Sequence, residues 1–190
     1  MSNPPLILTA HVNDQDLLFF DDLRAQFFPA DRNFLRAHVT MFHKLPSEHL
    51  PQIEDILEAE AARMTQVIEV GVIGVRNMGN GVAFVLDSEH LMATRARLKT
   101  EFTPWLAPQD HQPWRPHITV QNKVHWQRAE ALYDTLSLEF ARSTISVEGL
   151  DLWSYLGGPW RHERLFSAGR RQARHGESWD DGAGPGISGE

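Results

Sequence analysis

The feature that most constrains this chain is a nine-residue pattern that occurs twice. Arg36, His38, Thr40 and Lys44 recur in the same spacing as Arg115, His117, Thr119 and Lys123, 79 positions later. Side chains two apart on an extended strand share a face. The polar residues of each copy therefore share one face, joined by Phe42 in the first and Gln121 in the second. The other face is apolar: Leu35, Ala37, Val39, Met41 and Leu45 in the first copy, Trp114, Pro116, Ile118 and Val120 in the second. A half-solvated strand explains alternation, but not the return of the same residue types in register. A fold for this chain has to present two matched strands bearing histidine, hydroxyl and cation.

The segments around the two copies also correspond. Apolar residues 5–10 read as a strand, followed by a helix over 14–28 that ends at Pro29. Residues 34–45 alternate as a strand, 48–64 are helix-like, and 67–75 form a strand. The turn cluster 77–81 joins that strand to 82–86 as a hairpin. A helix over 88–102 stops at Pro104, then come a strand over 115–124 and a helix over 126–138. Strands at 144–155 and 162–168 flank residues 156–159 as a second hairpin. Strand, helix, strand and hairpin thus appear in both halves. The expected class is α+β, with two pseudo-symmetric lobes of antiparallel-rich sheet and outer helices around a central cleft. Residues 1–170 read as one bilobal domain. Residues 171–190 are Gly-rich and polar, too poor in apolar groups to offset the entropy of ordering, and a disordered tail is expected there.

With 190 residues, 42% of them hydrophobic, the chain can build one sizeable core. Its net charge of −7 argues against a broad basic surface for nucleic acid, so any RNA contact is expected to be local, in the cleft. There is no cysteine, hence no disulfide, thiol nucleophile or thiolate metal site. No apolar run approaches a membrane span and no basic leader stands at the start, so no membrane partner and a cytoplasmic location are expected.

Ten histidines raise the case of a zinc hydrolase. There is no H-E-x-x-H, however, and no third ligand at a telling spacing from His38 or His117. His11, His49, His90, His111 and His175 fall in expected loops, helix ends or tail, which leaves His43, His125 and His162 as candidates to border the cleft. No Gly-rich phosphate loop follows a strand, so phosphate has to be gripped by side chains. No metal or cofactor is expected.

His38-Val-Thr-Met41 and His117-Ile-Thr-Val120 resemble the paired H-x-T-x motifs of the two-histidine (2H) phosphoesterase superfamily, specifically the bacterial 2'-5' RNA ligase, or RNA 2',3'-cyclic phosphodiesterase, family. The likeness runs over about residues 5–168. One departure is Phe42 in the first copy where Gln121 stands in the second. The resemblance implies two lobes enclosing a cleft with one motif on each side. It also implies hydrolysis of a 2',3'-cyclic phosphate to a 2'-phosphate, with 2'-5' ligation as a side activity. In such a reaction one imidazole removes a proton from water and the other delivers one to the leaving oxygen, giving a bell-shaped pH dependence without a metal. His38 would protonate the 3'-oxygen and His117 would activate water; the residues alone leave the swapped roles open. Thr40 and Thr119 would donate to the non-bridging phosphate oxygens. Arg36, Arg115, Lys44 and Lys123 are expected to raise the positive potential of the cleft, and Phe42, Trp153 and Tyr155 to offer stacking surfaces for a base. The expected partners are RNA 2',3'-cyclic phosphate ends or small cyclic nucleotides, taken by a monomer. Two alternatives keep the site: action on 2'-5' linked oligonucleotides or an ADP-ribose cyclic phosphate, and a binding module without turnover.

Overall fold

The computed structural model describes residues 4–169. The chain opens with β1 (Leu6–Val12), buried along nearly its whole length. The Asn13 side chain then caps α1 (Asp14–Phe27) by accepting the Gln15 N–H at 2.9 Å. After a loop come β2 (Val39–Leu45) and α2 (Leu50–Arg63). The hairpin β3 (Ile68–Asn77) and β4 (Val82–Asp87) leads to Ser88, which caps α3 (Glu89–Phe102). A short α4 (Pro108–His111) precedes β5 (His117–Gln121) and α5 (Trp126–Glu139). The long β6 (Ser143–Tyr155) turns back as β7 (Trp160–Ser167).

All strands pair antiparallel in one sheet of order β2-β1-β6-β3-β4-β5, with β7 also on β6. β6 serves both lobes. Val147 meets Val12 of β1 on one edge and Ile68 of β3 on the other, and residues 149–155 carry β7 beyond the end of β3. The sheet curls until its terminal strands, β2 and β5, come within 8 Å between Cα atoms. Helices cover its outer side: α1 packs on β5, α5 on β3 and β4, and α2 on α3 and β7. Each lobe repeats the order strand, helix, motif strand, helix, as β1-α1-β2-α2 and β4-α3-β5-α5.

The two motif strands share an irregularity that periodicity does not reveal. Thr9 pairs with Thr40 and Leu8 with Phe42, skipping Met41; Ala83 pairs with Thr119 and Val82 with Gln121, skipping Val120. Each strand thus carries a β-bulge immediately after its threonine, which turns the next residue to the other face. Phe42 is therefore not on the cleft face. It is fully buried, edge-on to Phe102 at 5.2 Å and beneath the Arg95 guanidinium at 3.6 Å, so it is no stacking surface for a base. Gln121 is buried in the equivalent place, its Oε1 without a hydrogen-bond partner among the described residues.

Strand lengths differ from expectation for a related reason. Residues 34–38 and 115–116 lie outside β2 and β5, and β5 ends at Gln121. Lys123 follows in a turn with φ 59°, so face counting no longer applies to it. The expected tail over 171–190, including His175, lies outside the described residues.

Candidate active site

Residues 34–38 are held by α1 instead of by a neighbouring strand. Asp21 accepts the Ala37 N–H at 2.6 Å and the Arg36 Nε–H at 2.8 Å, and Arg24 Nε donates to the Leu35 carbonyl at 3.2 Å. This delivers His38 to the mouth of β2. Its Nδ1 lies 2.7 Å from the carbonyl oxygen of Arg36, two residues back; His117 Nδ1 lies 2.8 Å from that of Arg115, again two back. A carbonyl accepts, so in both rings Nδ1 carries the hydrogen and Nε2 is left for chemistry. Neither the Thr40 nor the Thr119 hydroxyl has a hydrogen-bond partner among the described residues.

Two bonds stitch the motifs across the cleft. Trp114 Nε1 donates to the Thr40 carbonyl at 2.9 Å, and Arg24 NH1 to the Thr119 carbonyl at 2.8 Å. Each motif threonine thus has its carbonyl anchored from another part of the chain. Arg24 is buried, and its third group, NH2, donates to Asn33 Oδ1 at 2.9 Å. No carboxylate forms a salt bridge with it among the described residues, although Asp21 lies close enough to act on its charge, so a buried positive charge stands behind the site. Burial pushes the pKa of His38 down to about 4, and the charges of Arg24, His117 and His43 push the same way, against the bond to the Arg36 carbonyl. That coupling also places His38 and His117 within electrostatic reach of each other.

A second buried guanidinium supports β2. Arg95 Nε donates at 2.7 Å to the carbonyl of the bulged Met41, and NH2 donates at 2.9 Å to that of Asp110. The Asp110 carboxylate accepts the backbone N–H groups of His43 and Lys44 and lies 3.0 Å from His43 Nδ1. Burial would raise its pKa, but these bonds outweigh that and hold it below the usual range. The loop that carries Trp114 and Arg115 toward His117 is thereby fastened to β2.

The remaining expected site residues divide. Arg115 is exposed and, with Arg76 and His117, lines a hollow of about 380 Å³. Arg36 is tied to Asp14 and Asp21, so its charge is already answered. Lys44 is exposed beyond the bulge, Lys123 is exposed in the turn after β5, and Tyr155 lies outside the cavity beside His38. Trp153 does line that cavity. Sequence reading missed Arg24, Trp114, Arg95 and Asp110 as supports, because nothing local marks a helix arginine that bonds a carbonyl 95 residues away. It also missed the role of Trp160, whose ring lies 4.8 Å from that of His38. A further group surrounds Asp151: His11 Nδ1 lies 2.6 Å from Oδ2 and His162 Nε2 lies 2.7 Å from Oδ1. Hydrogen bonding to Asp151 raises the pKa of His11. Among the described residues no grouping of His, Asp and Glu is arranged to hold a metal ion, and no helix is long and apolar enough to cross a membrane.

Paired H-x-T strands at the two ends of one curled antiparallel sheet define a two-histidine phosphoesterase architecture. The chain belongs to the 2'-5' RNA ligase superfamily, whose family model matches residues 12–159. Among solved structures, TT0787 of Thermus thermophilus is similar with a TM-score of 0.64 at 15% identity, over 87% of this chain and 98% of that one. E. coli LigT in apo form gives 0.56 at 13% identity, over 90% and 100%. E. coli LigT complexed with 3'-AMP gives 0.54 at 15% identity, over 88% and 99%. At these identities the likeness is one of fold. No curated protein sequence matches the chain.

Proposed function

We propose that the chain is an enzyme that opens 2',3'-cyclic phosphates, at RNA ends or on nucleotides, with His38 and His117 as its acid and base. The observation that carries this reading is the matched presentation of the two imidazoles. Each has its Nδ1 bonded to the carbonyl two residues back, which leaves two Nε2 atoms to serve one phosphate. In an in-line displacement His117 Nε2 takes a proton from water as its oxygen bonds to phosphorus. The bond from phosphorus to the 3'-oxygen breaks, and His38 Nε2 supplies that oxygen with a proton, leaving a 2'-phosphate. A 5'-hydroxyl in place of water would give a 2'-5' linkage by the same step. Thr40 and Thr119, with their hydroxyls unengaged, donate to the non-bridging oxygens as charge builds there. His38 is neutral in the free protein at pH 7, because burial above all holds its pKa at about 4, and a phosphate anion beside it favours the protonated ring. That E. coli LigT is found complexed with 3'-AMP supports a nucleotide ligand in this fold.

The test is the leaving group. An ester with 4-nitrophenolate as leaving group needs no acid, so His38→Ala should retain turnover of it while losing about 10²–10⁴-fold on a 2',3'-cyclic nucleotide. His117→Ala should lose both. The wild-type product should be the 2'-phosphate alone; a 3'-phosphate would overturn the assigned leaving group.

A further inference from the structure

The register of the second lobe carries onto the cleft face a charge that lies outside both motifs. Across β3, β4 and β5, Gly74, Val85 and His117 form one row, and Arg76, Ala83 and Thr119 another. The row between them, Val75, Phe84 and Ile118, faces the helices, where the Phe84 ring packs edge-on to Phe19 and Phe20 of α1. Side chains alternate along a strand, so Arg76 shares the cleft face with His117 and Thr119. Only Ala83 stands between Arg76 and Thr119, across two strand spacings of about 10 Å in all. In the neighbouring row Gly74 offers no side chain, and a Cβ placed there would meet no atom within 4 Å. These small residues leave room for the hollow of about 380 Å³ that Arg76, Arg115, Trp114 and His117 line.

The first lobe has the same row with the opposite charge. Thr9 pairs with Thr40 on one edge and with Asp151 on the other, so Asp151 occupies in that lobe the place of Arg76. Asp151 is buried and answered by His11 and His162. Arg76 is exposed, and among the described residues neither it nor Arg115 enters a salt bridge. The carboxylate on the lining, that of Asp87, belongs to a residue four positions along β4 from Ala83, about 13 Å away. The two flanks of the reacting phosphate therefore differ, and a second anion is accommodated on the His117 side.

In-line displacement says what that anion belongs to. The base stands on the side of the entering oxygen, and His117 is the base of the proposed reaction. Whatever is bonded to that oxygen lies over the hollow. Resting on the proposed phosphoesterase reading, we infer that the hollow is a second-phosphate site, in which Arg76, with Arg115, binds the 3'-phosphate of a nucleotide whose 5'-oxygen enters or leaves at phosphorus. One sugar separates that phosphate from the 5'-oxygen, which suits the span from His117 across β4 to Arg76. As this nucleotide leaves a 2'-5' linkage, the 3'-hydroxyl across the linkage passes its proton to His38 Nε2 and bonds to phosphorus. The bond from phosphorus to the 5'-oxygen breaks, and His117 Nε2 protonates that oxygen. The products are a 2',3'-cyclic phosphate and a 5'-hydroxyl nucleotide. An RNA ending in a 2',3'-cyclic phosphate leaves the hollow empty by itself, because its own chain departs on the His38 side.

The experiment compares two 2'-5' linked adenosine dinucleotides, with and without a 3'-terminal phosphate, in cleavage by the full chain and by its Arg76→Ala and Arg76→Lys variants. Hydrolysis of adenosine 2',3'-cyclic phosphate is followed alongside. Charge-assisted bonding to one phosphate predicts a preference of about 10- to 100-fold in kcat/KM for the phosphorylated dinucleotide. That ratio should fall toward one in Arg76→Ala and persist in part in Arg76→Lys. Equal cleavage of the two by the wild type, cleavage of neither while the cyclic nucleotide is hydrolysed, or an unchanged ratio in Arg76→Ala would overturn the inference and leave the phosphoesterase reading standing. If none of the three compounds is turned over, that reading fails instead, and the hollow is judged by calorimetry of the same pair. The phosphorylated dinucleotide should then bind the wild type about 10- to 100-fold tighter than the other; equal affinities would overturn the inference.

Discussion

Arg24 gives its three kinds of N–H group to Leu35, Asn33 and Thr119, and among the described residues it forms no salt bridge, although the Asp21 carboxylate lies close enough to act on its charge. Holding a buried cation without a salt bridge is costly, which is intelligible if a substrate anion also draws on its charge. Replacing it with methionine should raise the pKa of His38 part of the way from about 4, burial still holding it below the ordinary imidazole value, and weaken phosphate-ligand binding roughly tenfold. Arg24→Lys should keep more of both effects. NMR titration of His38 is the readout, and an unmoved pKa in Arg24→Met would contradict the electrostatic account. The depressed value also makes a linkage prediction. If the anion raises the His38 pKa, binding takes up a proton between the two values, so affinity rises as pH falls through that window. Calorimetry of His117→Ala with adenosine 2',3'-cyclic phosphate at pH 6, in buffers of different ionisation enthalpy, should register net uptake; release would contradict it. The proposed histidine pair could be singled out from the sequence because both copies repeat residue types in register. Arg24 was not, since its partners are carbonyls that any residue supplies.

The elements explain why counting by twos placed His38 and Thr40 on one face and then failed at Phe42. The bulges after Thr40 and Thr119 are set by pairing with β1 and β4, and strand periodicity holds no record of which neighbour skips a residue. Support for each bulge comes from a distance. Arg95 answers the Met41 carbonyl, and on the other strand Gly81 lets β4 approach β5 so closely that a Cβ would stand 2.0 Å from the Gln121 oxygen. Gly81→Ala should therefore spread β4 from β5 and cost about 1–3 kcal/mol or more, with lower activity through a displaced Thr119. A chemical denaturation midpoint unchanged from wild type would refute that. Asp110→Ala leaves the N–H groups of His43 and Lys44 without their acceptor, and about 2–3 kcal/mol of stability should be lost in the same assay. The four long helices were legible to within a residue or two, while the short α4 was not. The strands were overestimated at 34–38 because α1 side chains, not a strand, satisfy that backbone.

At the scale of the whole molecule, two lobes could be read from the repeated order of elements. That β6 runs through both as a shared spine could not, because a strand's own residues do not name its partners. The net charge of −7 makes a prediction at this scale, that any attraction for RNA is confined to the cleft. A mononucleotide should bind about as tightly per site as a long RNA, with a shallow salt dependence; affinity rising steeply with RNA length and falling steeply with salt would contradict this. The most direct test of the central claim is hydrolysis of 2',3'-cyclic nucleotides in the presence of EDTA by the wild type, His38→Ala and His117→Ala. The two-histidine account predicts turnover that survives the chelator and falls by about 10²–10⁴-fold in each variant. Activity abolished by EDTA, or retained in either variant, would contradict it.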